Sequence, residues 1–507
     1  MSDARDALVV GSGPNGLAAA IRLAEAGRSV LVLEAADQPG GAVRTEALTL
    51  PGFGHDTFSS VYPATVASPV FARMPLREHG LEWVHPAACS AHPLPDGDAA
   101  VLYRDLHATA QSLDRRHPGD GERWAAFAGP LLGAFDAVRA TMLSGFPPVR
   151  GPLQLLTGAG PRTTLGFARL LPESAVGLGR RLFESGDSRV WLYGAAMHGD
   201  TPPEKPGGAI AAAYLNLLGH AVGWPSPRGG AGRLTDALVA YLRALGGEIR
   251  TGAAVERIRA TDGRVTGVQL AGGEHVDGPV VIADVMPHAL ARLAGDGLPG
   301  WYRSLLGRYK LGPATLKVDW ALDGPVPWRN EEVRGAGTVH VGGSEPEFLS
   351  SIAQSHAGLP EHPFLLFGQQ TAADPSRAPA GKHTAWAYTH GPQQGVDWRA
   401  EQDGFVERVE AQVERFAPGF RDRILARHVM GPADLEARNA NLVGGDVGAG
   451  SYTLRQVVFR PVPSVSPYRT PLRGLYLGSA ATFPGGAVHG VPGDAMGSGR
   501  NTTWRSR

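Results

Sequence analysis

Gly11-Ser12-Gly13-Pro14-Asn15-Gly16 reads as G-x-G-x-x-G, and what stands on either side of it decides the fold. Residues 6–10 form a short apolar run of strand character, residues 17–26 carry helical spacing, and residues 29–34 read as a second strand. The hexad therefore sits after a strand and opens a helix, which predicts a βαβ dinucleotide-binding start. Gly11 permits the turn, Gly13 lets backbone approach a pyrophosphate, and Gly16 lets helix pack on strand. Pro14 and Asn15 begin the helix, whose N-terminal N–H groups and dipole favour phosphate. Glu34 ends the second strand about 20 residues on, where an acid followed by the small Ala35 can accept from an adenosine ribose hydroxyl.

Working outward, residues 39–45 hold a second glycine pair, Gly40-Gly41, followed by the cation Arg44. Close backbone approach and a positive charge again suit a phosphate or a flavin edge. From about residue 70 to 224, proline-rich joints separate apolar helical segments at 124–143, 165–171, 188–197 and 210–218, which predicts a mostly helical insertion. After Arg228-Gly229-Gly230 the pattern returns to a helix at 234–245 and strands at 248–250, 254–260, 265–270 and 280–283. A second excursion follows, with strands at 315–320, 338–341, 364–369 and 384–388 and a helix at 404–417. One more buried strand, Leu475–Leu477, precedes a glycine-rich end. The expected fold is α/β: a Rossmann-type nucleotide-binding domain from residues 1–70, 226–290 and 465–507, with a discontinuous mixed α+β substrate or cap domain from 71–225 and 291–464.

Composition narrows the chemistry. Lys+Arg 48 balance Asp+Glu 48, so no nucleic-acid partner is expected. Cys89 is the single cysteine, which excludes an intrachain dithiol, a disulfide-reducing flavoenzyme and a cysteine metal cluster. No paired histidine spacing of a metal site occurs, and none of the hydrolase elbow, so no metal is expected. The acidic start at residues 1–6 lacks a signal-peptide pattern and points to a cytoplasmic location. Residues 207–224 are uncharged but interrupted by Asn216, Gly219 and His220, which predicts a buried helix rather than a membrane span.

These segments together resemble the FAD-dependent amine oxidase and phytoene desaturase superfamily, within it the phytoene-dehydrogenase-like oxidoreductases. The resemblance covers nearly the whole chain. It rests on the fingerprint with Gly40-Gly41 and Arg44-Thr45, on residues 223–232 (GWPSPRGGAG) and 246–255 (GGEIRTGAAV), and on 474–493 (GLYLGSAATFPGGAVHGVPG). Such a resemblance implies FAD held by three discontinuous segments. Val255 would then reach the adenine side, Gly478, Ser479 and Gly486 the closing motif, and the backbone of Gly490 and Val491 the pyrimidine end of the flavin. Two departures stand out. Ser479 occupies a position where many flavoproteins carry an acid, and residues 494–500 are glycine-broken where an apolar helix is usual.

Hydride transfer to a flavin needs a dry pocket and no obligatory nucleophile. Where a proton must also leave, Asp56 and His489 are the candidate bases. No second glycine fingerprint follows a strand, so electrons are expected to pass to oxygen or a quinone. The expected substrate is an apolar small molecule. The alternatives are an amine oxidase or specialised-metabolite oxidase, a flavin-dependent isomerase, and a non-catalytic FAD-binding partner protein. Residues 165–183, with Arg169, Arg180 and Arg181 among leucines, suggest a cap helix with a basic face or a peripheral membrane contact. Composition says nothing of oligomeric state.

Overall fold

The computed structural model describes residues 5–497. Ala7–Val10 is buried on both faces and lies at the centre of a parallel five-stranded sheet. The order is Leu475–Leu477, Val281–Ala283, Ala7–Val10, Val30–Leu33, Glu248–Arg250, so one sheet is assembled from segments hundreds of residues apart. Helix Pro14–Glu25 connects the first two strands and starts on Pro14, where the absent N–H has no intrahelical partner to lose. Its outer face receives helix Val491–Gly497 so closely that a Cβ on Gly493 would lie 1.8 Å from the Asn15 carbonyl oxygen. Gly497, one of the glycines read as a break, lies in the same contact: a Cβ on it would lie 2.5 Å from Arg22 Cβ. Ser498 to Arg500 lie outside the described residues.

A second sheet has seven strands. Its order is Ile424–Met430, Ala314–Leu322, His383–Gly391, Leu365–Gly368, Ala336–Val341, Ala88–Pro93, Ala99–Leu102. Only the Ala336–Val341 to Ala88–Pro93 pairing is parallel. Three of these strands correct the sequence reading. Ala88–Pro93 and Ala99–Leu102 lie inside the stretch expected to be mostly helical; both are buried on both faces and built from small residues, so no period of two is visible. Ile424–Met430 is an edge strand whose Arg427 faces solvent, a pattern that reads as loop.

Helices fill the rest of residues 106–222. The expected 124–143 segment is two helices, Asp120–Gly133 and Phe135–Met142, broken at Ala134. Helix Gly208–Val222 is the uncharged run, buried among Trp124, Trp191 and Leu178. Trp124 meets Trp191 edge-on at 5.2 Å and donates its indole N–H to His220 Nε2 at 3.0 Å. No helix among the described residues is long and apolar enough to cross a membrane.

Candidate cofactor and substrate site

The turn after Ala7–Val10 is a cradle that side chains would fill. Gly11 has φ +96°, and a Cβ on Gly16 would lie 2.1 Å from the Gly11 carbonyl oxygen. A Cβ on Gly13 would lie 2.7 Å from Asp284 Oδ2, and one on Gly41 (φ +56°) would lie 3.0 Å from Gly13 Cα. The fingerprint and the second glycine pair are therefore one surface, stitched by the Gly40 N–H donating to Ser12 O at 3.2 Å. Glu34 is buried, accepting from Ser12 N–H at 2.8 Å and Ser12 Oγ at 2.6 Å with one oxygen and from Ala36 N–H at 2.9 Å with the other. Exposed Ala35 follows it, and Ala253 N–H donates to Glu34 O, which brings the start of strand Val255–Thr261 beside the same acid.

Two polar atoms on this surface are buried and have no partner in the protein: Asn15 Oδ1 and Arg44 Nε. Arg44 is otherwise anchored by Nη2 on Gln38 O at 2.8 Å. A backbone cradle closed to Cβ atoms, a helix N-terminus with no acid in its first turn, and spare donor and acceptor capacity fit a dinucleotide.

One residue at the cradle escaped the sequence reading. Asp284 directly follows strand Val281–Ala283, is 6% exposed, accepts from Gly16 N–H at 2.9 Å, and faces Gly11, Gly13 and Gly16. Burial pushes its carboxyl up to about 7, with Gly16 N–H opposing and the charge of Glu34 adding. The available signal was its position: an acid at the carboxyl end of a parallel strand, where open α/β sheets bind ligands.

The closing motif sits at the other end. Gly478 N–H donates to Ala283 O at 3.0 Å, and buried Ser479 accepts from Ala481 N–H and Thr482 Oγ1, so it turns the chain. Gly486 N–H donates to the Tyr452 hydroxyl at 3.0 Å, Gly490 has φ +70°, and Val491 begins the helix that packs on Pro14–Glu25. His489 Nδ1 accepts from Val491 N–H at 3.2 Å, and its ring bonds the backbone of Gly485 and Gly486 on the other side. Burial pushes it down to about 4, so it is neutral.

A cavity of about 310 Å³ opens between this motif and the helical cap. Pro484 and Gly486 to His489 form one wall; Met142, Leu143, Leu171, Ile210, Leu215 and Trp224 form much of the rest. His489 is in the wall and Asp56 is not. Asp56 is instead fully buried, with Oδ1 receiving Arg377 Nη2 at 2.8 Å, Thr45 Oγ1 at 2.9 Å and Ala231 N–H at 2.8 Å. Beside it Lys317 pairs with Asp319, and His55 lies 3.7 Å from the same carboxylate. Cys89 is buried, with its thiol pushed up to about 12, so it supplies no thiolate.

Comparison with known proteins agrees with this geometry. The family described as flavin containing amine oxidoreductase matches residues 15–503. Pyridine nucleotide-disulfide oxidoreductase domain-containing protein 2 of Rattus norvegicus is 28% identical, over 96% of this chain and 92% of its own. A phytoene desaturase (neurosporene-forming) of Rhodobacter capsulatus is 25% identical over 96% of this chain and 92% of its own. Among solved structures, an oxidoreductase from Methanosarcina mazei superposes with a TM-score of 0.63 at 18% identity, covering 97% of this chain and 98% of that one. With the family match running through cradle, cap and closing motif alike, the chain belongs to the flavin-containing amine oxidoreductase family and is an FAD-dependent oxidoreductase.

Proposed function

We propose that the protein oxidises an uncharged, largely apolar small molecule held in the 310 Å³ cavity, with oxygen or a quinone as the final electron acceptor. The observation that carries this reading is the cavity wall. It contains no Asp, Glu, Lys or Arg, and burial pushes both of its histidines, His198 and His489, down to about 4. An ammonium substrate would enter without a counter-charge, at a desolvation cost of several kcal/mol; the wall thus favours desaturase-like over amine oxidase chemistry. A hydrocarbon gains about 25 cal/mol for each Å² it buries against such a lining.

When bound, FAD supplies the hydride acceptor. The chain's own contributions are then to cradle the pyrophosphate at residues 11–16 and 40–41, to bring Gly486 to Val491 against the other end, and to exclude water with Leu143, Leu215 and Trp224. Anaerobic addition of an apolar terpene such as limonene to the holoenzyme is expected to bleach the flavin absorbance, while putrescine is expected to leave it unchanged. Bleaching by the amine alone would overturn the reading. Activity seen only with pre-reduced flavin and no acceptor would make the protein an isomerase, and no response to any substrate class would make it a binding partner.

Substrate entry is proposed from a lipid surface. Helix Arg150–Arg169, kinked at Gly160, exposes Leu153 (58%), Leu156 (45%) and Leu165 (54%), flanked by Val149 and by Leu171, which also lines the cavity. Residues 137–172 carry Arg139, Arg150, Arg162 and Arg169 and no acid. The apolar face begins earlier, at Val149, and shares with the 165–183 stretch only its first part, because Ala175–Leu182 is buried on its apolar side and Arg181 is tied to Glu173 at 2.9 Å. Arg139 is paired with Asp136 at 3.0 Å, and exposed leucines on a segment that also carries Arg150, Arg162 and Arg169 suit an anionic interface, each such cation adding about 1 kcal/mol. Co-sedimentation with phosphatidylglycerol-containing vesicles is expected at low salt, weakened by added salt and abolished by Leu153→Glu, Leu156→Glu and Leu165→Glu together. Undiminished binding of that variant would place the contact elsewhere.

A further inference from the structure

The cavity is apolar, yet one place in its wall has hydrogen-bonding capacity left over. Of its polar side chains, Ser59 Oγ bonds Ala42 O and the Tyr62 hydroxyl, Thr201 Oγ1 bonds Gly199 O, and the Tyr452 hydroxyl accepts from Gly486 N–H. His489 is held by backbone on both sides. Two groups remain. The Tyr214 hydroxyl is buried without a partner, on a residue 7% exposed. His198 is bonded through Nε2 alone, to His340 Nε2 at 3.0 Å, with its ring edge-on to Trp224 at 5.0 Å.

That histidine pair fixes where its protons sit. Across an Nε2···Nε2 contact one ring donates and the other accepts. His340 is 1% exposed, and its Nδ1 has no partner. A proton there would be a buried, unpaired N–H, the rarer and costlier arrangement, so the proton sits on His340 Nε2 and is donated to His198 Nε2. No carboxylate contributes to the environment of His340; its charged-group neighbours are His198 and His92. The proton of His198 is thereby placed on Nδ1, the ring nitrogen without a bond inside the protein among the described residues.

We propose that His198 Nδ1–H is a specificity contact, receiving an uncharged hydroxyl or carbonyl oxygen carried by an otherwise apolar substrate, with the Tyr214 hydroxyl as the second spare group on the same wall. This deepens, and rests on, the reading of the cavity as the substrate chamber. A neutral donor in an apolar wall discriminates strongly, because an occupant lacking the acceptor leaves the N–H desolvated and unpaired. The neutrality of His198 argues against a carboxylate occupant, which would find no cation among the wall side chains.

The test uses the FAD-loaded protein and two ten-carbon terpenes, limonene and the ketone carvone, with dissociation constants read from perturbation of the flavin spectrum. Carvone is expected to bind about tenfold tighter than limonene, the effect of roughly one hydrogen bond. In His198→Leu the preference should fall to within about twofold, with limonene bound more tightly than by the parent because no N–H is left desolvated; His198→Gln, whose amide donates, should keep part of the preference. Equal binding of both terpenes by the unmodified protein, or a preference that survives His198→Leu, overturns the proposal. If both terpenes bind equally and limonene still bleaches the flavin, the proposed function stands and this contact falls. If neither perturbs the spectrum, the cavity is not the substrate chamber and both fall together.

Discussion

Asp284→Asn is expected to stabilise the protein, and to do so more as pH rises. The folded-state carboxyl is pushed up to about 7 by burial beside Glu34, against about 3.9 in an unfolded chain. Below pH 4 both states are protonated and the group contributes nothing differential. Between pH 4 and 7 the unfolded chain releases its proton while the folded chain keeps it, so stability falls as pH rises, and above 7 the loss is complete. A difference of about three pKa units corresponds to about 4 kcal/mol. Asparagine cannot ionise, and its Oδ1 can still accept from Gly16 N–H, so it removes the penalty and retains the bond. Chemical denaturation at pH 5 and pH 8 should show the advantage of the variant growing by about 2 to 3 kcal/mol between them. If the glycine cradle holds the FAD pyrophosphate, its charge would oppose ionisation of Asp284, so the variant should also hold FAD more tightly at pH 8 than the parent does. A stability difference independent of pH would show that Asp284 does not titrate in this window.

The residues around Asp284 show why part of the site is legible and part is not. Gly11, Gly13, Gly16 and Glu34 are readable because a glycine fingerprint and its acid are local, and the structure brings Gly40 and Gly41 to the same cradle. The short strand Leu475–Leu477 is readable at its full extent because it is a brief apolar run after a turn, and Glu248–Arg250 because a glycine pair precedes it and Ile249 alternates with two charged residues. Asp284, Arg377, His198 and Tyr452 are not, since each acquires its role from a partner far along the chain: Gly16, Asp56, His340 and Gly486 respectively. Ala88–Pro93 is missed for a different reason. Burial on both faces erases the alternation by which a strand is recognised, and only pairing with Ala336–Val341 and Ala99–Leu102 defines it. Local chemistry is written in the sequence; long-range electrostatics and central strands are written in the contacts.

Asp56 is where that distinction has the largest consequence. The sequence makes it a candidate base, whereas its surroundings make it the anion that compensates a buried arginine. Arg377 is 2% exposed; besides Asp56 its guanidinium finds Gly54 O at 3.1 Å, and its Nη1 has no partner. Asp56→Asn keeps an acceptor for Thr45 Oγ1 and Ala231 N–H, so it removes charge while preserving shape. Arg377 then loses its paired carboxylate, while Asp319, whose charge also acts on it, is already paired with Lys317, and His55, pushed down to about 3, is neutral. Removing one member of a buried pair costs about 3–5 kcal/mol, chiefly through the partner left uncompensated. The variant is therefore expected to lose that much in denaturant titration, and Asp56→Asn with Arg377→Gln should recover a large part of it, because the double change deletes both charges. A base would behave differently. Its loss would lower turnover by about 10²–10⁴ and erase one limb of the pH profile with the denaturation midpoint unmoved, and the arginine change would rescue nothing. The two accounts thus part on the double variant: recovered stability makes Asp56 a brace that holds the Thr45 and Ala231 segments in place beside the cradle, and unrecovered turnover at full stability makes it part of the chemistry.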